Sequence, residues 1–279
     1  MAALPGFPPL TAAPLPPSTT AKRVYFIRHG ETDANASGMM QGSGVDLPLS
    51  ILGKAQAAAL GKRFESEKVD LVVVSTLKRT AETANYIKQF HPNARTIELK
   101  DLVEISWGEW EGLPPTKGIT DLWKAWEDGN FDAASPGGGE SPIDVEARAV
   151  PAIYNILRQC LPTEQNIAFV LHGRLIRIIL ASILNHDLSY MNTYHHANTC
   201  INVLDACKDD ELKRRFVNGV QTILNRGPSM IDAVGASLPT TPNTVTRAVG
   251  KALNPTLAHP NDIVFRAVVL NDTAHLARL

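Results

Sequence analysis

The run Arg23-Val24-Tyr25-Phe26-Ile27 leads straight into Arg28-His29-Gly30-Glu31-Thr32. Four consecutive apolar residues this compact read as a buried strand. In an open α/β sheet, the positions just past a strand's C-terminal end face the ligand crevice. Arg28 offers a planar fork of donors for an anion there. His29 offers a ring nitrogen that can attack or take a proton near neutral pH. Gly30 lets the backbone pass close to a ligand. An Arg-His pair at a strand end is more often an ordinary surface feature than a catalytic one, so the weight falls on the rest of the chain.

Outward from this stretch, strands and helices alternate. A Gly/Ser/Asp-rich loop spans Ser37 to Pro48, and Ser50 then caps a helix with apolar positions Leu52, Ala55, Ala59, Leu60 and Phe64. Asp70 to Ser75 reads as a second buried strand, followed by a helix from Lys78 to Phe90 that stops before His91-Pro92. Arg95 to Leu99 is a third strand, and a short helix is expected around Leu122 to Asp128. Ser141-Pro142 marks another helix start, with a kink expected at Pro151. Asn166 to Leu171 is a buried strand ending in His172-Gly173, with a helix from Arg174 to Leu184 after it. Thr199 to Leu204 and Ile263 to Leu270 complete the strands.

This alternation predicts an α/β fold, a three-layer α/β/α sandwich on a mostly parallel sheet. Residues 1–20 are rich in Pro and Ala and read as a disordered tail. Residues 21–279 read as a single domain. Within it, 206–262 is a partly disordered insertion, because its weakly periodic Pro/Ser/Thr-rich stretch is too long for an ordinary connection.

Composition narrows the function classes. A formal net charge of -1 argues against a general nucleic-acid binder. No stretch approaches the length of a membrane span, and the N-terminal prolines make a poor secretory signal. Cys160, Cys200 and Cys207 are too scattered for a disulfide framework and lack paired metal spacing. They read as reduced thiols of a cytoplasmic protein. No cofactor and no metal are expected, and the oligomeric state stays open.

A phosphoryl-transfer site built on histidine needs fixed cations for the phosphate, a neutral ring nitrogen in line with the leaving oxygen, and a proton donor. Arg28 and His29 end the first strand. Arg79 lies in the first turn of the helix after the second strand, where free N–H groups attract anions. His172-Gly173 ends a later strand and opens a helix. Each residue alone is better read as structural.

Together they resemble the histidine phosphatase (phosphoglycerate mutase-like) superfamily. The motifs arrive in that family's order: Arg28-His29-Gly30-Glu31-Thr32; then Asp46-x-Pro48-Leu49-Ser50-x-x-Gly53-x-x-Gln56-Ala57; then Ser75-x-Leu77-x-Arg79-x-x-x-Thr83-Ala84. Leu102 to Gly112, with Trp107-Gly108-Glu109-Trp110-Glu111-Gly112, is similar to its acid-bearing loop. Pro136 to Ser141, His172-Gly173, Asn198-Thr199 and Asn271 to Leu276 also match family segments. The resemblance covers residues 23–205 and 263–276. It implies a phosphoglycerate mutase-like fold and a small phosphorylated substrate. His29 would become a phosphohistidine, with Arg28, Arg79 and His172 around the phosphate oxygens and Glu104 as general acid. Thr32, Asn35, Gln41 and Gly173 would bind substrate. Arg174 departs from the family, which often has a small residue there.

Within the family, a mutase must hold a phosphoglycerate carboxylate with extra cations. Residues 105–140 contain only Lys117 and Lys124 as cations. This favours phosphomonoester hydrolysis over mutase transfer. A non-catalytic phosphate-recognition module is disfavoured because His29, Glu104 and His172 occur together. A metal hydrolase using His29 and His172 lacks a carboxylate-rich ligand spacing.

Overall fold

The computed structural model describes residues 21–208 and 263–279. The expected tail, and the expected insertion beyond Lys208, lie outside these residues. Apart from the adjoining ends of two strands, the described residues form one compact unit.

The apolar runs become strands as expected. β1 spans Lys22–Arg28, β2 Leu71–Ser75, β3 Arg95–Leu99, β4 Asn166–Leu171, β5 Ile201–Lys208 and β6 Ile263–Asp272. They form one sheet in the order β3-β2-β4-β1-β5-β6. β1, β2, β3 and β4 run parallel, while β5 pairs antiparallel with β1. β5 extends past Leu204, where the alternation ends, because its pairing with β1 reaches Ala206 opposite Lys22.

Helices α1 (Asp33–Ala36), α2 (Ile51–Arg63), α3 (Lys78–Lys88), α4 (Lys117–Glu127), α5 (Pro142–Gln159) and α6 (Gly173–Leu180) connect the strands. Side chains alternate across the sheet. Tyr25, Ile27, Val72, Val74, Ala168 and Val170 bury one face against Leu60 and Phe64 of α2 and Ala84 and Ile87 of α3. Val24, Phe26, Val73, Ile167 and Phe169 are fully buried on the other face, where α6 packs on β1 and α5 on α6. The result is the expected three-layer arrangement. Each such side chain contributes about 1.5–3 kcal/mol by leaving water.

Several local expectations shift. The buried face of α2 is Gly53, Ala57, Leu60, Gly61 and Arg63, whereas Leu52 is 46% exposed. A Cβ at Gly53 would collide with the Glu31 carbonyl, so close backbone approach sets the first turns of that face, while Leu60 and Phe64 supply its apolar bulk. α4 starts at Lys117, about a turn earlier than its apolar positions suggest, and Lys117 pairs with Asp121 within it. α5 is capped by Ser141 in a reciprocal box with Asp144 and continues through Pro151 to Gln159. The helix expected over 174–184 is α-helical only to Leu180. A π-type turn follows over Ala181–Asn185, closed by His186 at φ 53°. Among the described residues, no helix is long and apolar enough to cross a membrane.

Parallel pairing places the C-terminal ends of β1, β2 and β4 side by side. Arg28 sits opposite Leu171, so His29 and His172 emerge together, with Ser75 at the end of β2.

Candidate active site

A cavity of about 210 Å³ opens at these strand ends. Of the residues singled out in the sequence, Arg28, His29, Asn35, Gln41, Arg79, Glu104, Gly173 and Arg174 line it. His172 lies behind His29, with ring centroids 5.3 Å apart, and does not itself line the cavity. Thr32 is fully buried outside the lining. It caps α1 in a reciprocal box with Asn35 and donates its hydroxyl to Gln41 Oε1 at 2.9 Å.

His29 is fixed from several sides. Its backbone N–H donates to Leu171, and its carbonyl accepts from Thr199 N–H and Asn198 Nδ2. Its Nδ1 stands 2.7 Å from the Gly30 carbonyl. A carbonyl only accepts, so Nδ1 carries the hydrogen and Nε2 keeps its lone pair. Burial, reinforced by Arg79 and then Arg28, lowers the imidazole well below its ordinary pKa of 6.5. The free ring nitrogen is therefore neutral at physiological pH.

The same logic fixes His172. Arg79 Nε–H can only donate, so His172 Nδ1 accepts it at 3.2 Å. Nε2 then donates to Ser75 Oγ at 2.8 Å. Both ring nitrogens are occupied, and the bond to Arg79 ties His172 to a residue that lines the cavity.

Arg79 is almost wholly buried. Its remaining nitrogens donate to the carbonyls of Gly42 at 2.8 Å and Val45 at 3.1 Å. That loop is in turn held by Glu111, whose carboxylate accepts from Ser43 N, Gly44 N and Trp107 N. Burial lowers Arg79 to about 10, which leaves it cationic at neutral pH. Arg28 donates to the His196 carbonyl at 2.8 Å, while its Nε has no acceptor within the protein. Gln41 Nε2 is likewise buried without an acceptor. Unmet buried donors cost about 1–3 kcal/mol each, a cost that an incoming anion removes. Gly173 keeps this space open, since a Cβ there would stand 3.1 Å from Arg28 Nε.

Glu104 enters from the loop after β3. Its carboxylate accepts from Ile105 N at 3.0 Å, Leu175 N at 2.9 Å and Arg174 N at 3.1 Å, which seats it on the N-terminus of α6. Lys117 and Lys124 pair with Asp121 and Asp128 on the exposed side of α4 and lie outside the cavity. The 105–140 segment contributes Trp107 and Trp123 instead.

Trp107 of the quoted acid-bearing loop lines the cavity as well, and Met39, Met40, Gly42, Trp123, Arg177 and His196 line it without having been singled out. Arg177 carried a readable signal: it stands three positions after Arg174, on the same side of a helix. Among the described residues, no group of three or more His, Cys, Asp or Glu side chains could hold a metal ion.

Burial holds four histidines neutral. His29 and His172 lie well below 6.5, His196 at about 3 and His275 at about 4, with desolvation the largest cause in each case. The unfolded chain protonates these side chains below about pH 6.5, whereas the folded protein does not. Stability is therefore full above that pH and falls below it, by ~1.4 kcal/mol per pH unit for each histidine until its native pKa is reached. The urea midpoint is expected to drop between pH 7 and pH 5 in phosphate-free buffer. An unchanged midpoint would show that these rings are not buried neutral.

The family model of the histidine phosphatase superfamily (branch 1) matches residues 24–218. A glucosyl-3-phosphoglycerate phosphatase of Mycolicibacterium vanbaalenii is 31% identical over 172 residues, covering 58% of this chain and 74% of its own. A metal-independent phosphoserine phosphatase of Arabidopsis thaliana is 31% identical over 164 residues, covering 57% and 68%. The native structure of a mycobacterial glucosyl-3-phosphoglycerate phosphatase superposes with a TM-score of 0.58 at 28% identity, covering 67% of this chain and 91% of its own. The strand-end histidines, the buried arginines and a match spanning most of the chain agree. The chain belongs to branch 1 of the histidine phosphatase superfamily and is an enzyme of phosphate-ester hydrolysis.

Proposed function

We propose that this enzyme hydrolyses small phosphomonoesters through a phosphohistidine on His29. The observation that carries this reading is the tautomer: Gly30 takes the Nδ1 hydrogen and leaves Nε2 as a neutral nucleophile beside two buried arginines. In the first step the Nε2 lone pair attacks phosphorus in line, and the phosphorus–oxygen ester bond breaks. Glu104 gives a proton to the departing alcohol oxygen. In the second step water attacks the phosphohistidine, Glu104 takes the water's proton, and the phosphorus–nitrogen bond breaks. Phosphate leaves, and His29 and Glu104 return to their starting states.

Arg28 and Arg79 hold the equatorial oxygens while charge spreads over them. His172 serves this step by fixing the Arg79 fork. Asn35, Gln41 and Gly173 line the same cavity and serve in this reading as substrate contacts, and Thr32 keeps the Gln41 amide turned so that its Nε2 stays available.

The test is phosphate release from p-nitrophenyl phosphate with a chelator present and no bisphosphoglycerate added. Steady release is expected, with no loss on chelation. Phosphoglycerate interconversion without phosphate release would point to a mutase, and loss of activity with the chelator would overturn a metal-free mechanism.

A further inference from the structure

The charges lining the cavity do not balance for a simple phosphate ester. Four arginines, Arg28, Arg79, Arg174 and Arg177, line the cavity with one acidic side chain, Glu104, while His29 and His196 are neutral. A phosphomonoester carries a charge of about -2 near neutral pH, which still leaves a cationic excess. Arg28 and Arg79 flank His29 and are its strongest charged neighbours, whereas Arg174 and Arg177 stand one helical turn apart on α6.

The second pair is built to be held in place. The Arg174 guanidinium lies over the indoles of Trp123 and Trp126, 5.7 and 5.4 Å from their ring centres, and one N–H donates to Asn192 at 2.9 Å. Its other donors are not consumed by that bond. Burial and the neighbouring Arg177 lower Arg174 to about 10, so it is still charged at neutral pH. The Arg177 guanidinium makes no hydrogen bond among the described residues, and burial lowers its pKa too. It lies close enough to Arg28 and to the His196 ring to depress both. The His196 ring is buried at the cavity wall, with the Asn202 side chain beside it. The two guanidiniums share one acidic neighbour, Glu104, which cannot offset both of them, so their mutual repulsion falls further when a ligand brings a second negative charge.

We propose that the natural substrate is a phosphomonoester bearing a second anionic group, which Arg174 and Arg177 bind while Arg28 and Arg79 hold the scissile phosphate. Trp123 and Trp107 also line the cavity and offer apolar faces to the carbon skeleton, and His196 adds a neutral ring for a hydroxyl or an anion oxygen. This deepens the phosphatase reading and rests on it. Arg174 and Arg177 select the substrate; they take no part in bond making.

The experiment compares kcat/KM for phosphoglycerate, glycerol phosphate and glycerol bisphosphate, with p-nitrophenyl phosphate as reference. These esters place a carboxylate, a neutral hydroxyl or a second phosphate on similar skeletons. The wild-type enzyme is expected to prefer one or both doubly anionic esters over glycerol phosphate by at least about tenfold, as a charge-assisted contact implies. The favoured arm then says whether the second anion is a carboxylate or a phosphate. The preference ratio should collapse toward one in Arg177→Gln and in Arg174→Gln, and recover in part in Arg177→Lys. Each ratio is internal to one protein, so partial misfolding does not alter it. Equal efficiency for all three esters in the wild type, or a preference that survives both glutamine variants, would overturn the proposal. If p-nitrophenyl phosphate is not hydrolysed at all, the phosphatase reading itself has failed.

Discussion

Replacing His29 by alanine is expected to lower kcat by more than about a thousandfold, because nothing else in the cavity can form the covalent intermediate. The neighbouring His172 cannot substitute. Its Nδ1 accepts from Arg79, its Nε2 donates to Ser75, and its ring is fully buried behind the cavity wall. The fold should survive, since the backbone of residue 29 keeps its bonds to Leu171, Thr199 and Asn198. Circular dichroism and retained binding of inorganic phosphate, which Arg28 and Arg79 still attract, would separate lost chemistry from lost structure. Turnover within tenfold of wild type in a folded His29→Ala protein would contradict the assignment of the nucleophile.

Glu104→Gln is expected to act through the leaving group. The amide cannot give a proton to a departing alkoxide, and general acid catalysis is worth about 10²–10⁴-fold. For an alkyl ester such as glycerol phosphate, kcat should fall by roughly that factor, because the first step needs the proton. p-Nitrophenolate leaves without protonation, so the first step on p-nitrophenyl phosphate should be nearly preserved. The second step, which needs a base for water, should be slow, and a burst of nitrophenolate should precede a slow steady state. A uniform loss on both esters with no burst would instead indicate that the Glu104 carboxylate serves mainly to seat the N-terminus of α6, where it accepts from Arg174 and Leu175.

The strands of this protein are legible in its sequence because they are short apolar runs buried on both faces, as in Val24–Ile27 and Ile167–Leu171. Capped helices are legible for the same local reason, with Ser50 and Ser141 accepting from the N–H groups their positions imply. α1 is too short for periodicity to show, and its Thr32–Asn35 box uses asparagine where the familiar pattern has a glutamate or glutamine. The packed face of α2 was legible only in part: Leu60 and Phe64 pack as their spacing implies, whereas Gly53, Ala57 and Gly61 are too small to stand out as an apolar stripe.

The same division holds at the site. Arg28, His29, Arg79 and Glu104 sit next to strand or helix ends that sequence patterning locates, and the cavity gathers all four. His196 and Trp123 enter from segments far along the chain, and only tertiary packing turns them toward the cavity. The hydrogen bond from Arg79 to His172 is also a tertiary fact, since 93 positions separate the two. So is the placement of cations: the 105–140 loop leaves its lysines in solvent, and α6 brings Arg174 and Arg177 to the cavity in their place.

The phosphoenzyme itself can be trapped by mixing the enzyme with radiolabelled phosphoester, quenching within milliseconds in alkali, and mapping the label by peptide sequencing. The expected result is one alkali-stable, acid-labile phosphoryl group on His29, attached at Nε2 because Gly30 occupies Nδ1. Label on a different residue, or full turnover with no labelled peptide at any quench time, would contradict a mechanism through His29.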